Sequence, residues 1–199
     1  MPCDSPIWIE NVKEYEKIPV PCGKCQPCKK RRVDSWVFRL MQEDRISDYS
    51  HFITLTYDTR CIPITKNGFM TLYKKDFQNF MKRLRRMMPV GVKLKYYAVG
   101  EYGETNKRPH YHAIIFNVPT AVSFKEAWSL TKRGHEERCI EMAQDGEVFG
   151  GHYRKFPDER AEIGTIDIAQ VSGDSVAYVA KYMDKKAQIG KFKRDEIGR

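Results

Sequence analysis

The sequence predicts an α+β domain built on an antiparallel sheet of about five strands flanked by helices. Three observations carry this expectation. Strand-like and helix-like segments mix without a regular βαβ repeat. Residues 93 to about 101 and 110–116 read as strands joined by a short link, which favours an antiparallel pair. Residues 74–88 place Phe77, Phe80, Met81, Leu84 and Met88 at helical spacing, so this segment offers one apolar face to a core.

The elements follow in chain order. Residues 1–32 form a Cys-rich segment in which Pro19-Val-Pro21 opens the run Cys22-Gly-Lys-Cys25-Gln-Pro-Cys28, and residues 33–199 form the main domain. Asp34 caps an expected helix from 35 to about 47, with Trp36, Val37, Leu40 and Met41 on one side. Residues 51–57 are β-branched and aromatic, hence a strand, and a turn-rich link covers 58–68. Pro89 ends the amphipathic helix over 74–88. Further along come a helix near 123–132, an irregular polar stretch over 134–162, a strand at 164–168 and a helix over about 174–187.

The composition excludes wholesale disorder and a membrane span. With 35 Lys and Arg against 26 Asp and Glu, the formal net charge is +9, which favours a polyanionic partner. Basic clusters at 29–32, 82–86, 185–186 and 191–194 accompany eleven Tyr and ten Phe. Basic grooves with interleaved rings suit single strands, whose unpaired bases can stack. The first residues lack the apolar run of a signal peptide, so the six Cys are expected in a reducing cytoplasm, where metal binding outranks disulfides.

His110-Tyr-His112 lies within a predicted strand, where residues two apart share a face at roughly 6–7 Å. A symmetrical hairpin over 102–109 sets Glu101 opposite His110 and adds a carboxylate to that face. A slip of one residue would turn Glu101 away and leave Glu104 as the third ligand. Two imidazoles and a carboxylate with open positions suit Mg²⁺ or Mn²⁺, which also hold phosphate oxygen, with Zn²⁺ a further option.

In the last helix, Tyr178, Lys181, Tyr182 and Lys185 share one face, while Val176, Val179, Ala180 and Met183 form an apolar stripe displaced by two residues. The apolar stripe anchors the helix and frees the other. The ordinary role of such residues is packing, with Lys snorkelling alongside. Chemistry offers another. A phenol with a pKa near 10 needs a nearby cation to act as a nucleophile at neutral pH, and a metal or Lys supplies one. Tyr178 and Tyr182 are therefore candidate nucleophiles, with Lys181 and Lys185 as candidate phosphate-positioning groups.

Cys22, Cys25 and Cys28 are candidate zinc ligands, with Cys3 as the available fourth thiolate and Cys61 or Cys139 as alternatives. The residue that would complete a ferredoxin-like run is Arg32, which disfavours an iron–sulfur cluster. His51, His135 and His152 have no sequence partner, and Trp8, Trp36 and Trp128 are expected to pack rather than stack on bases.

These motifs, in this order, resemble those of the His-hydrophobe-His (HUH) endonucleases. His110-Tyr-His112 is similar to their paired-histidine motif, and Phe52-Ile-Thr-Leu-Thr56 to their first strand motif. Val99-Gly-Glu101-Tyr-Gly103 resembles the segment that supplies their acidic ligand, which favours Glu101 over Glu104. Tyr178-Val-Ala-Lys181 and its repeat Tyr182-Met-Asp-Lys185 resemble their nucleophile motif. The doubled motif together with Pro21-Cys-Gly-Lys-Cys25 resembles the replication initiators of gokushovirus-like Microviridae bacteriophages. The resemblance implies an antiparallel sheet flanked by helices, catalytic Mg²⁺ or Mn²⁺, and nicking and joining of single-stranded phage-origin DNA through a 5′-phosphotyrosine. It implies action in the host bacterial cytoplasm beside a host replication helicase and polymerase. The chain is short for such an initiator and ends in a charged stretch, which reads as a nuclease-domain fragment. The competing expectations are a non-catalytic nucleic-acid-binding module with a structural zinc, and a tyrosine relaxase or transposase.

Overall fold

The computed structural model describes residues 3–11, 16–149 and 161–192, with side chains described for 3–10, 16–146 and 161–182. The chain divides into two compact units. One comprises Met1–Glu43 with Gly173–Gly198, and the other is centred on Asp44–Ser172.

The first unit opens with an antiparallel hairpin of β1 (Ile7–Asn11) and β2 (Glu16–Val20), in register Ile7↔Val20. Helix α1 (Gln26–Ile46) begins nine residues before its expected start at 35 and carries the chain into the second unit. Asp34 is therefore interior to the helix rather than its cap. The early start is physically reasonable, because Pro27 falls in the first turn, where a missing N–H costs nothing. Trp8, expected to pack, is 61% exposed on β1.

The second unit contains β3 (Ser50–Thr56), β4 (Pro63–Thr65), α2 (Lys74–Met87), β5 (Lys95–Tyr102) and β6 (Pro109–Phe116). It continues with α3 (Phe124–Ala127), β7 (Ser129–Leu130), α4 (Lys132–Gln144), β8 (Glu147–Phe149), β9 (Ala161–Glu162) and β10 (Ile166–Gln170). The expected antiparallel sheet is present. Among the described residues it has four strands in the order β10-β3-β6-β5, against about five anticipated, and three two-stranded pairs lie outside it. Helix α5 (Gly173–Phe192) returns the chain to the first unit.

Period-two alternation divides the sheet into two faces. Ile53 and Leu55 of β3 and Tyr111, Ala113 and Ile115 of β6 point to one side, where they join Phe77, Phe80, Met81 and Leu84 of α2. Trp128, fully buried as expected of a packing residue, completes this core and donates its indole N–H to the Thr56 carbonyl. The opposite face carries His110 and His112. Gly164 marks a close approach of two chain segments, since a Cβ there would lie 1.7 Å from the Thr56 carbonyl oxygen.

Two expectations for residues 123–162 are corrected. The helix expected over 123–132 is only α3, capped by Ser123 Oγ accepting from the Glu126 N–H, after which the chain turns into β7. Much of the stretch expected to be irregular is α4. Its buried side chains include His135 and Arg138 beside Met142, so no apolar stripe advertises the helix. Arg138 instead forms a bidentate pair with Asp76 of α2, at 2.6 and 2.7 Å, and donates to the Cys61 carbonyl. Tyr57 donates its hydroxyl to the same carboxylate at 2.9 Å. The His152 expectation lies outside the described residues.

Candidate metal centre and tyrosine helix

The first candidate site grows out of one register. Strands β5 and β6 pair Glu101 with His110 and Val99 with His112, as a symmetrical hairpin demands. Lys107 occupies a positive φ of 49° in the connecting turn, and Gly103 and Arg108 close it with a backbone hydrogen bond of 2.9 Å. Glu101 therefore projects with the two histidines. Its Oε2 lies 3.5 Å from His110 Nε2 and 3.3 Å from His112 Nε2. One ligand atom from each of the three residues falls within 4.8 Å of the others. Glu104 stays in the turn, where its carbonyl accepts from the Lys107 ammonium.

The imidazoles are held from behind. His110 Nδ1 donates to the Arg108 carbonyl at 3.0 Å, which leaves the Nε2 lone pair directed at Glu101. His112 Nδ1 lies 3.0 Å from Thr54 Oγ1, and in the tautomer where Nδ1 donates, its Nε2 also carries the lone pair. Phe52 stacks on the His112 ring at 5.7 Å. Burial, followed by the neighbouring His110, holds the His112 pKa below its ordinary value and favours the neutral ring that ligation requires. Two oriented nitrogens and one carboxylate oxygen thus form a group that could hold a metal ion.

Thr54 and the Arg108 carbonyl went unnoticed in the sequence. The threonine alternation of β3 was visible, but the register Thr54↔His112 joins strands separated by residues 57–108. Arg108 also places its guanidinium against the Tyr57 carbonyl at 2.6 Å, which ties the end of the hairpin turn to the end of β3.

The tyrosine motif lies on α5, in the first unit. Val176, Val179 and Ala180 are fully buried, as the apolar stripe requires. Tyr178 is 40% exposed, but Tyr182 is only 9% exposed although both belong to the stripe expected to be free. Tyr182 follows Val179 by three residues, so it borders the buried face. The two rings meet edge to face at 4.8 Å, and Lys181 is exposed beside them. Lys185 lies within the helix, but its side chain is outside the described residues, as is that of Met183.

A second cluster gathers Cys3, Cys22, Cys25 and Cys28, whose sulfurs all lie within 4.8 Å of one another. The alternatives Cys61 and Cys139 belong to the other unit, where Cys61 is buried and Cys139 sits 3.6 Å from His135 Nε2. Backbone N–H groups of Cys25 and Lys24 each lie 3.4 Å from the Cys22 sulfur and lower its thiol to about 6. Cys28 receives a backbone hydrogen bond from Gly23 that favours its thiolate, yet burial and the neighbouring sulfurs push it up to about 12.

The chain thus joins an α+β unit, with a Glu-His-His cluster on its neighbouring strands β5 and β6, to paired tyrosines on a helix, and the comparisons with known proteins give its class. The chain belongs to the replication-associated protein ORF2/G2P family, whose model matches residues 50–187. It is 30% identical over 184 residues to the replication-associated protein VP4 of Bdellovibrio phage phiMH2K, covering 89% of this chain and 52% of that protein. It is 29% identical over 189 residues to the replication-associated protein ORF4 of Chlamydia phage 1, covering 90% of this chain and 41% of that protein. Spiroplasma virus 4 supplies a third relative, the replication-associated protein ORF2, at 24% identity, with 97% of this chain and 63% of that protein covered. The chain thus spans from about two fifths to under two thirds of the length of these relatives. No solved structure matches it. Among the described residues, no helix is long and apolar enough to cross a membrane.

Proposed function

We propose that this chain is the nicking and joining domain of a rolling-circle replication initiator, a site-specific endonuclease acting on single-stranded origin DNA. The observation that carries this reading is the Glu101 carboxylate, within 3.5 Å of both imidazole Nε2 atoms on one face of the sheet. Glu101, His110 and His112 would hold Mg²⁺ or Mn²⁺, which when bound supplies charge neutralisation at the scissile phosphate. The hydroxyl oxygen of Tyr178 or Tyr182 forms a bond to phosphorus, and the bond from phosphorus to the 3′-oxygen breaks. The phenolic proton leaves the tyrosine and the departing 3′-oxygen gains one. The products are a 5′-phosphotyrosine and a free 3′-hydroxyl that primes synthesis. Attack by a later 3′-hydroxyl reverses the step and joins the strands. Lys181, exposed on the same helix, contributes positive charge to the phosphate, and Lys185 repeats that role one turn on. Two tyrosines allow two successive transfers.

We place this activity in the host bacterial cytoplasm, where a host helicase and polymerase extend the primer. Incubation with Mn²⁺ and single-stranded DNA from the cognate phage origin, followed by a denaturing gel, tests the reading. A covalent protein–DNA adduct is expected, and it disappears in the Tyr178→Phe, Tyr182→Phe double variant. An adduct that survives this double change would eliminate the tyrosine mechanism. Binding without any adduct would favour a non-catalytic nucleic-acid module.

A further inference from the structure

The four-cysteine cluster takes no part in the proposed strand transfer, and its geometry supports a separate conclusion. We infer that Cys3, Cys22, Cys25 and Cys28 form a closed tetrathiolate site for one structural Zn²⁺, which staples the N-terminal hairpin to the start of α1.

The sequence brings these sulfurs together by three routes. The hairpin register Ile7↔Val20, extended toward the chain start, brings residue 3 beside residues 22–24. The Cys22 N–H accordingly points at Cys3 Sγ at 3.3 Å. Between Cys22 and Cys25 the chain makes a tight turn through Gly23 at φ +71°, which a side chain would strain. That turn aims the N–H groups of Lys24 and Cys25 at the Cys22 sulfur. Arg32 of α1 donates to the Gly23 carbonyl at 2.8 Å and anchors the turn to the helix. The Lys29 N–H bonds the Cys25 carbonyl, so the helix starts at the turn and its first turn delivers buried Cys28.

The distances suit a metal better than sulfur–sulfur bonds. Zinc–sulfur bonds of about 2.3 Å in a tetrahedron place the sulfurs about 3.8 Å apart. Cys3 Sγ and Cys25 Sγ lie 3.7 Å apart, and none of the six cysteines forms a disulfide. Four thiolates exclude hard ions such as Mg²⁺, and Zn²⁺ outranks Fe²⁺ for a given site. Four protein ligands leave no open position, so the ion is structural. Binding ties together residue 3, the turn at 22–25 and the start of α1.

The test uses the unmodified 199-residue chain, purified without added metal, and is independent of DNA cleavage. Elemental analysis is expected to find one zinc per chain. Titration with an organomercurial is expected to release that zinc in step with modification of four thiols, leaving Cys61 and Cys139 as the two that react without releasing metal. Cobalt substitution is expected to give the thiolate charge-transfer and tetrahedral d–d bands of a four-sulfur site. Cys61→Ser and Cys139→Ser retain the zinc, whereas Cys22→Ser and Cys25→Ser lose it. Reactive thiols with no zinc, an intact mass lowered by the hydrogens of two disulfides, or iron in place of zinc would overturn the assignment. Because the titration is read on the unmodified chain, a misfolded variant does not decide the outcome.

Discussion

The two candidate metal centres are built in opposite ways. Glu101, His110 and His112 sit on neighbouring strands of one sheet, and a single hairpin register sets all three. Cys3, Cys22, Cys25 and Cys28 come from the chain start, a glycine turn and a helix start, gathered by the β1–β2 hairpin and by hydrogen bonds around the turn. The first centre is backed by the apolar core on the far side of its sheet, so the protein's own packing supports its shape. The second is surrounded by half-buried and exposed residues, and Ile7, Trp8 and Ile9 of the adjoining hairpin are exposed. A preformed oxygen-and-nitrogen site can lose and regain a catalytic ion. A thiolate site assembled from separate segments depends on its ion for folding.

If the sheet centre owes its shape to the protein rather than to an ion, breaking the interior of its own unit should cost far more stability than chelating the catalytic metal. The bidentate Asp76–Arg138 pair offers the sharpest lever, with side chains only 2% and 5% exposed. Asp76→Ala strands a buried guanidinium and a tyrosine hydroxyl, and a loss of about 3–5 kcal/mol is expected in urea unfolding. Insensitivity to this substitution, combined with strong dependence on Mg²⁺, would reverse the comparison.

A smaller effect probes how the imidazoles are oriented. Thr54→Val keeps the shape of the strand but removes the oxygen beside His112 Nδ1. Mn²⁺ affinity, read by calorimetry, is expected to fall by about 10–100-fold while zinc content is unchanged. Unaltered Mn²⁺ affinity would show that strand register alone orients the ring.

The smallest effect concerns pH. Burial first, then the charge of Arg138, holds the His135 pKa below its ordinary value in the fold. A histidine with a depressed folded pKa contributes stability that is present above its unfolded value, near 6.5, and lost as pH falls through that value. Denaturation midpoints are expected to decline between about pH 7 and pH 5, with a shallower decline in His135→Gln. An equal slope in the variant would assign the acid sensitivity elsewhere.

Legibility in the sequence followed the kind of contact involved. The Glu-His-His cluster could be read because its members lie on a short hairpin, where a symmetrical link sets Glu101 opposite His110; a one-residue slip left Glu104 as the alternative, and the family resemblance favoured Glu101. The core face of α2 could be read because Phe77, Phe80, Met81 and Leu84 are apolar at helical spacing. Helix α4 could not, because it buries the polar His135 and Arg138, and Arg138 finds its partner in Asp76, 62 positions away. The start of α1 was hidden by Pro27, which reads as a breaker but is tolerated in a first turn. Cys3 could be counted, but only the pairing of β1 with β2 explains why it is the fourth thiol.

In the proposed mechanism, one divalent ion of the catalytic kind binds at Glu101, His110 and His112, separately from the thiolate site. Titration of Mn²⁺ into the zinc-loaded chain, followed by electron paramagnetic resonance, tests it directly. One bound Mn²⁺ per chain is expected, lost in Glu101→Gln and in His110→Ala, with zinc still present in both. Mn²⁺ binding that persists unchanged in these two variants would contradict it.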